Sequence, residues 1–245
     1  MAYWEYGLLF ISVFAGGVLA FPFRSSAQPV LKLLLSFSGA YLLGITVVHL
    51  MPGAFSAPGA QPSLWILGGF FVQLLLEQLS RGVEHGHVHL HEKGPRSLAL
   101  QVMLGLSLHA FLEGLPLSHY DAFHQSLHGH EHGHYHLLFG IVLHKLPAAF
   151  ALVSLLLLSH FQQKWIVGCL ILFSAMSPLG AFSASFVSLS HDAVANLLGF
   201  VIGSFLHIAT TILFEADDGH QHHVSWAKLG VIVLGVGLAL AADWF

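Results

Sequence analysis

Apolar length decides what this chain can become. Eight predominantly apolar runs follow one another, each near the roughly 17–25 residues that cross a bilayer as a helix. They predict spans at about 3–21, 31–52, 64–81, 98–119, 137–158, 163–185, 191–215 and 226–244. Charge is scarce between them: Asp, Glu, Lys and Arg make up 8% of 245 residues, against about 25% in soluble domains. So little charge cannot solvate a water-soluble body of this size, which excludes a soluble enzyme and a disordered tail. The runs are continuous, not alternating, and twice the length of a barrel strand, so a strand barrel is excluded too. A net charge of −4 provides no basic footprint for nucleic acid. The one cysteine, Cys169 in an apolar run, excludes a disulfide framework and a cysteine metal cage. An all-α membrane protein of eight transmembrane helices is the expected fold.

The cations orient it. Arg24, Lys32, Arg81, Lys93, Arg96, Lys164 and Lys228 fall in or beside the first, third, fifth and seventh connections, and none falls in the second, fourth or sixth. The positive-inside rule then makes the odd connections cytoplasmic and leaves both termini outside. Glu5 stands where a secretion signal would carry Lys or Arg, so the first run reads as a retained helix. The eighth cation, Lys145, lies inside the fifth span, where charge is costly and by default marks function.

Twenty histidines are the second excess. Three connections concentrate them: 82–97, with His85, His87, His89 and His91; 120–136, with His128, His130, His132, His134 and His136; and 216–225, with His220, His222 and His223 after Asp217 and Asp218. Imidazole is the commonest side-chain metal ligand, and interleaved glycines let a loop wrap an ion. The spacing suits adaptable capture of a divalent ion; a polar low-complexity loop is the alternative reading.

Within the spans the signal sharpens. His109 and Glu113 stand four apart in the fourth span, which puts them on one helical face a turn apart. His144 follows in the fifth, ahead of Pro147. Prolines there and at Pro116 are expected to open the hydrogen-bond ladder toward a cavity. Three ligand candidates at matching depth point to a metal site. His49 ends the second span, His207 lies in the inner half of the seventh, and Glu215 at its inner end. A lone membrane histidine can instead bond a neighbouring helix, a reading that stays open for His207 and is favoured for His49. Glu77, near the inner end of the third span, reads as structural or interfacial.

Taken in order, these residues resemble the ZIP (Zrt/Irt-like protein) family of divalent metal transporters. The resemblance rests on His49-Leu50-Met51-Pro52, on His109 to Gly114, on His144-Lys145-Leu146-Pro147, on Ser177-Pro178-Leu179-Gly180 and on Gly203-Ser204-Phe205-Leu206-His207. It implies a carrier of Zn(II) or another divalent cation such as Fe(II), entering the cytoplasm between the fourth and fifth helices. It also implies a 3+2+3 arrangement with inverted pseudo-symmetry, and a homodimer. His109, Glu113 and His144 would hold the ion, His49 would be an outer relay, and His207 with Glu215 an exit step. The short loops suit a bacterial inner membrane.

The resemblance further implies a second, adjacent metal position, and here its ligands are replaced together by Ala110, Lys145, Ala148 and Ser177. An ammonium near Glu113 would supply the charge a second cation supplies elsewhere and would repel that cation. Two unit charges about 4 Å apart interact by roughly 4 kcal/mol even at an effective dielectric near 20. The alternative is that Lys145 serves helix packing alone. Two other functions remain beside the carrier: a non-transporting metal sensor or buffer, and an intramembrane zinc hydrolase with Glu113 as base.

Overall fold

A backbone surrounded by hydrocarbon must satisfy its own hydrogen bonds, and helices do so within one segment. The computed structural model describes residues 1–22, 27–80, 82, 96–128, 135–215 and 225–242, and all regular structure among them is helical. The order is α1 (Tyr3–Val18), α2 (Ala27–Ile45), a π-helical turn (Thr46–Leu50), α3 (Met51–Phe55), α4 (Pro62–Ser80), α5 (Arg96–Gly114), α6 (Leu117–His128), α7 (His136–Leu158), α8 (Gln163–Ala184), α9 (His191–Glu215) and α10 (Trp226–Leu240). Six helical stretches are long and apolar enough to cross a membrane. The terminal helices α1 and α10, with 16 and 15 residues, are shorter than the first and last expected spans.

Two expectations are corrected by proline. The second span is not one regular helix to residue 52. Pro52 has no N–H for the carbonyl of Val48, and the chain answers with the π-helical turn before resuming as α3. Within the fourth apolar stretch, Ala99–Ser126, the helix is interrupted at Leu115 and Pro116, and part of the connection expected at 120–136 is helical, as far as His128. Pro116 ends α5 at Gly114 and starts α6, since proline suits a helix start and not its interior. Pro147 and Pro178 do lie inside helices, α7 and α8.

α7 forms the centre of the bundle. Leu137, Ile141, His144, Lys145, Ala148, Ala149, Leu152 and Leu156 are all buried, so apolar contact surrounds it. α1 and α2 pack against it, α5 pairs with α8, α4 with α9 and α2 with α10. Large apolar side chains face outward instead, among them Leu64, Leu75, Ile11 and Val233.

Two close approaches set the geometry that matters for function. A Cβ at Gly180 would collide with the carbonyl of Phe111, and one at Gly114 with the carbonyl of Ser177, so α5 and α8 touch backbone to backbone beside Glu113. Gly69 and Gly203 do the same for α4 and α9. Small residues let helices approach where no hydrophobic force drives them together. Gly180→Val should therefore destabilise the detergent-solubilised protein by about 1–3 kcal/mol. Gly168→Val on the same helix, where a Cβ meets nothing within 4 Å, should leave the thermal midpoint nearly unchanged.

Candidate metal centre

The centre is built where α5, α7 and α8 meet. One helical turn separates His109 from Glu113, and His109 Nε2 lies 2.9 Å from Glu113 Oε2. His144 comes from α7, its ring centroid 5.8 Å from that of His109 and nearly perpendicular to it. Each of the three offers a ligand atom within 4.8 Å of the other two, and all three residues are buried. Among the described residues no other group of three or more His, Cys, Asp or Glu side chains comes together in this way.

Lys145 completes the cluster. It is 1% exposed, and its Nζ lies 2.7 Å from Glu113 Oε1. The same ammonium donates to Ser177 Oγ from α8 and sits 5.2 Å from the ring centre of Phe173, within cation–π range. The Ser177 hydroxyl in turn lies 3.0 Å from the carbonyl oxygen of Ala110 and 3.3 Å from Glu113 Oε1. Lys145 and Ser177, two of the four positions singled out as replacements, thus meet at one carboxylate oxygen, and the carbonyl of a third, Ala110, faces the Ser177 hydroxyl.

Behind His109 stands a polar pair that the sequence reading missed. Ser204 Oγ on α9 lies 3.4 Å from His109 Nδ1 and donates to Gln73 Oε1 on α4 at 3.0 Å. Gln73 stands four residues before Glu77, and that spacing in an apolar helix was the available signal. Side chains that orient the second nitrogen of a ligating imidazole tune it as a ligand.

The other candidates lie elsewhere. His207 Nε2 pairs with Glu77 Oε2 at 2.5 Å, and its ring packs edge-on against Phe70. Glu77 is thus the partner of His207, on the helix that packs against α9. His49 donates from Nε2 to the carbonyl of Ala239 at 2.9 Å and stacks on His136, with centroids 4.2 Å apart. Neither joins the three-ligand group. Glu215 ends α9, and its side chain is outside the described residues, as are His85, His87, His89, His91, His130, His132, His134, His220, His222 and His223 and the side chain of His128.

A bundle of apolar helices enclosing a carboxylate, two imidazoles and an ammonium defines a multi-pass membrane protein with a buried polar centre. A family model described as ZIP zinc transporter matches residues 82–242. The chain belongs to the ZIP zinc transporter family. Zinc transporter ZIP1 of Bos taurus is 28% identical over 264 residues, covering 88% of this chain and 78% of that protein. Zinc transporter ZIP9 of Micropogonias undulatus is 29% identical over 172 residues, covering 66% of this chain and 54% of that protein. Its counterpart in Xenopus tropicalis is 30% identical over 166 residues. The chain therefore spans about half the length of the ZIP9 proteins it matches. These relatives bear the names of transporters, which lends the hydrolase reading nothing. All are vertebrate proteins, so the expected bacterial inner membrane gains no support from them.

Removing one member of a buried pair strands the other's charge. Lys145→Met should cost about 3–5 kcal/mol in the thermal unfolding of the detergent-solubilised protein. Adding Glu113→Gln to it should recover most of that loss; an additive double variant would mean that the two side chains are energetically independent.

Proposed function

We propose that this protein is a carrier that moves Zn(II), or a related divalent ion, across a membrane into the cytoplasm through one mononuclear site. The observation that carries the reading is the convergence of His109, Glu113 and His144 in the buried core of a ZIP-family chain. Two imidazoles and a carboxylate are a donor set that Zn(II) accepts, and three protein ligands leave a position open for water, as labile sites do. A transported ion must leave as well as enter, so an incomplete ligand shell suits the task. The donors accept Fe(II), Co(II) and Mn(II) as well, and Zn(II) is preferred on the names of the relatives.

Lys145 takes the place of a second cation. Its ammonium holds one oxygen of Glu113 while the other faces His109. The carboxylate is thereby shared between a fixed charge and a mobile one. His49, stacked on His136, serves as an outer relay, and His207 with Glu77 and Glu215 as an exit step toward the histidine-rich segment 82–97. Eight spans with both termini outside give the orientation, on the distribution of the cations.

The helix pairing supports a 3+2+3 arrangement. Let α1, α2 and α4 exchange with α8, α9 and α10, and α5 with α7. The α4–α9 contact then maps onto α10–α2, and α1–α7 onto α8–α5, and these four are the most extensive contacts of the bundle. Inverted repeats around a central pair make this pattern. The partners we assign are the divalent ion and the lipid bilayer, with homodimerisation as the family resemblance implies and no nucleic acid. One observation favours a second reading, a non-transporting sensor or buffer: Lys145 already occupies a Glu113 oxygen.

Saturable zinc uptake into proteoliposomes of the purified protein, lost in His109→Ala, is the expected result. Absence of uptake by folded, metal-loaded wild-type protein would turn the reading to the sensor. Lys145→Glu should raise the metal bound per chain in the membrane core from one ion to two; unchanged stoichiometry in a folded variant would remove Lys145 from the role of counter-charge.

A further inference from the structure

α4 and α9 carry none of the three ligand candidates, yet between them they reach the back of His109. Gln73 on α4 is 1% exposed and Ser204 on α9 is 6% exposed, so water solvates neither. A buried amide or hydroxyl persists where its hydrogen bonds are made within the protein. The two helices touch backbone to backbone at this level. Gly69 stands one turn before Gln73, Gly203 adjoins Ser204, and a Cβ at either would collide with the facing chain. That close approach fixes the height at which Gln73 and Ser204 meet.

Hydrogen-bond direction gives the pair a task. Ser204 has one hydroxyl proton, and it goes to Gln73 Oε1 at 3.0 Å. Toward His109 Nδ1, 3.4 Å away, the same oxygen can then only accept. The other ring nitrogen, Nε2, lies 2.9 Å from Glu113 Oε2, on the side where the ligand atoms converge. A neutral imidazole that gives Nε2 to an ion holds its proton on Nδ1. That proton needs an acceptor, and Ser204 presents one because Gln73 takes the hydroxyl proton.

We propose that Gln73 is a positioning residue of the metal centre: acting through Ser204, it commits the Nε2 lone pair of His109 to the ion. This role rests on His109 ligating the ion, as proposed above. Without the chain of two hydrogen bonds, nothing on the α4–α9 side selects between the ring nitrogens. Partners of this kind fix the tautomer and orientation of a ligating histidine and raise its basicity, and losing one costs about 10–100-fold in metal affinity. Gln73 and Ser204 act in series, so removing both costs no more than removing Ser204 alone.

The test is equilibrium zinc binding by the full chain in detergent, titrated against a competing chelator. The quantity read is the component of binding that His109→Ala abolishes, which sets aside zinc held by the histidine-rich segments. Ser204→Ala and Gln73→Leu should each weaken that component by about tenfold or more. Ser204→Thr, which keeps the hydroxyl, should hold near wild-type affinity, while Ser204→Val, of the same shape, should not. Gln73→Glu, still an acceptor for Ser204, should keep the affinity that Gln73→Leu loses. The double variant Ser204→Ala, Gln73→Leu should match Ser204→Ala. Losses that add in the double variant, equal losses in Ser204→Thr and Ser204→Val, or wild-type affinity in both Ser204→Ala and Gln73→Leu would each overturn the positioning role and leave the carrier's site standing. A wild type from which His109→Ala removes no zinc would overturn that site, and the positioning role with it.

Discussion

A carboxylate and an ammonium held side by side in an apolar helix bundle impose the main constraint on this molecule. Neither Glu113 nor Lys145 could be buried alone, because an unpaired charge out of water costs several kcal/mol. Their contact at 2.7 Å ties α5 to α7, and the Ser177 hydroxyl ties both to α8. The polar centre is therefore also the joint of the three helices that surround it. The pair leaves the other carboxylate oxygen of Glu113 facing His109.

That joint depends on how closely the backbones approach. Gly114 and Gly180 remove the side chains that would otherwise separate α5 from α8, and Ser177 can then reach Glu113 and the carbonyl of Ala110. The Gly69 and Gly203 approach of α4 and α9 similarly brings Gln73 and Ser204 together behind His109, with Glu77 and His207 paired between the same two helices. The polar groups follow the small residues. In a membrane this is the expected division of labour, since packing and interhelical hydrogen bonds, not water exclusion, hold helices together.

Local and compositional properties could be read directly from the residues. Apolar run length and scarce charge dictate a helical membrane protein, and a spacing of four puts His109 and Glu113 on one face whatever surrounds them. The same local reading failed at prolines, because a π-helical turn after Ile45 and a break at Pro116 answer to steric detail that hydropathy does not register. Contacts between distant helices were beyond it. That Glu113 turns to Lys145, that Ser204 and Gln73 back His109, and that Glu77 pairs with His207 depend on which faces meet across separations of 32 to 131 residues. The sequence by itself determined the helices and the donors each one carries. Tertiary packing decided which donors share a site, because backbone approach at a few glycines, not periodicity, sets which side chains come within reach.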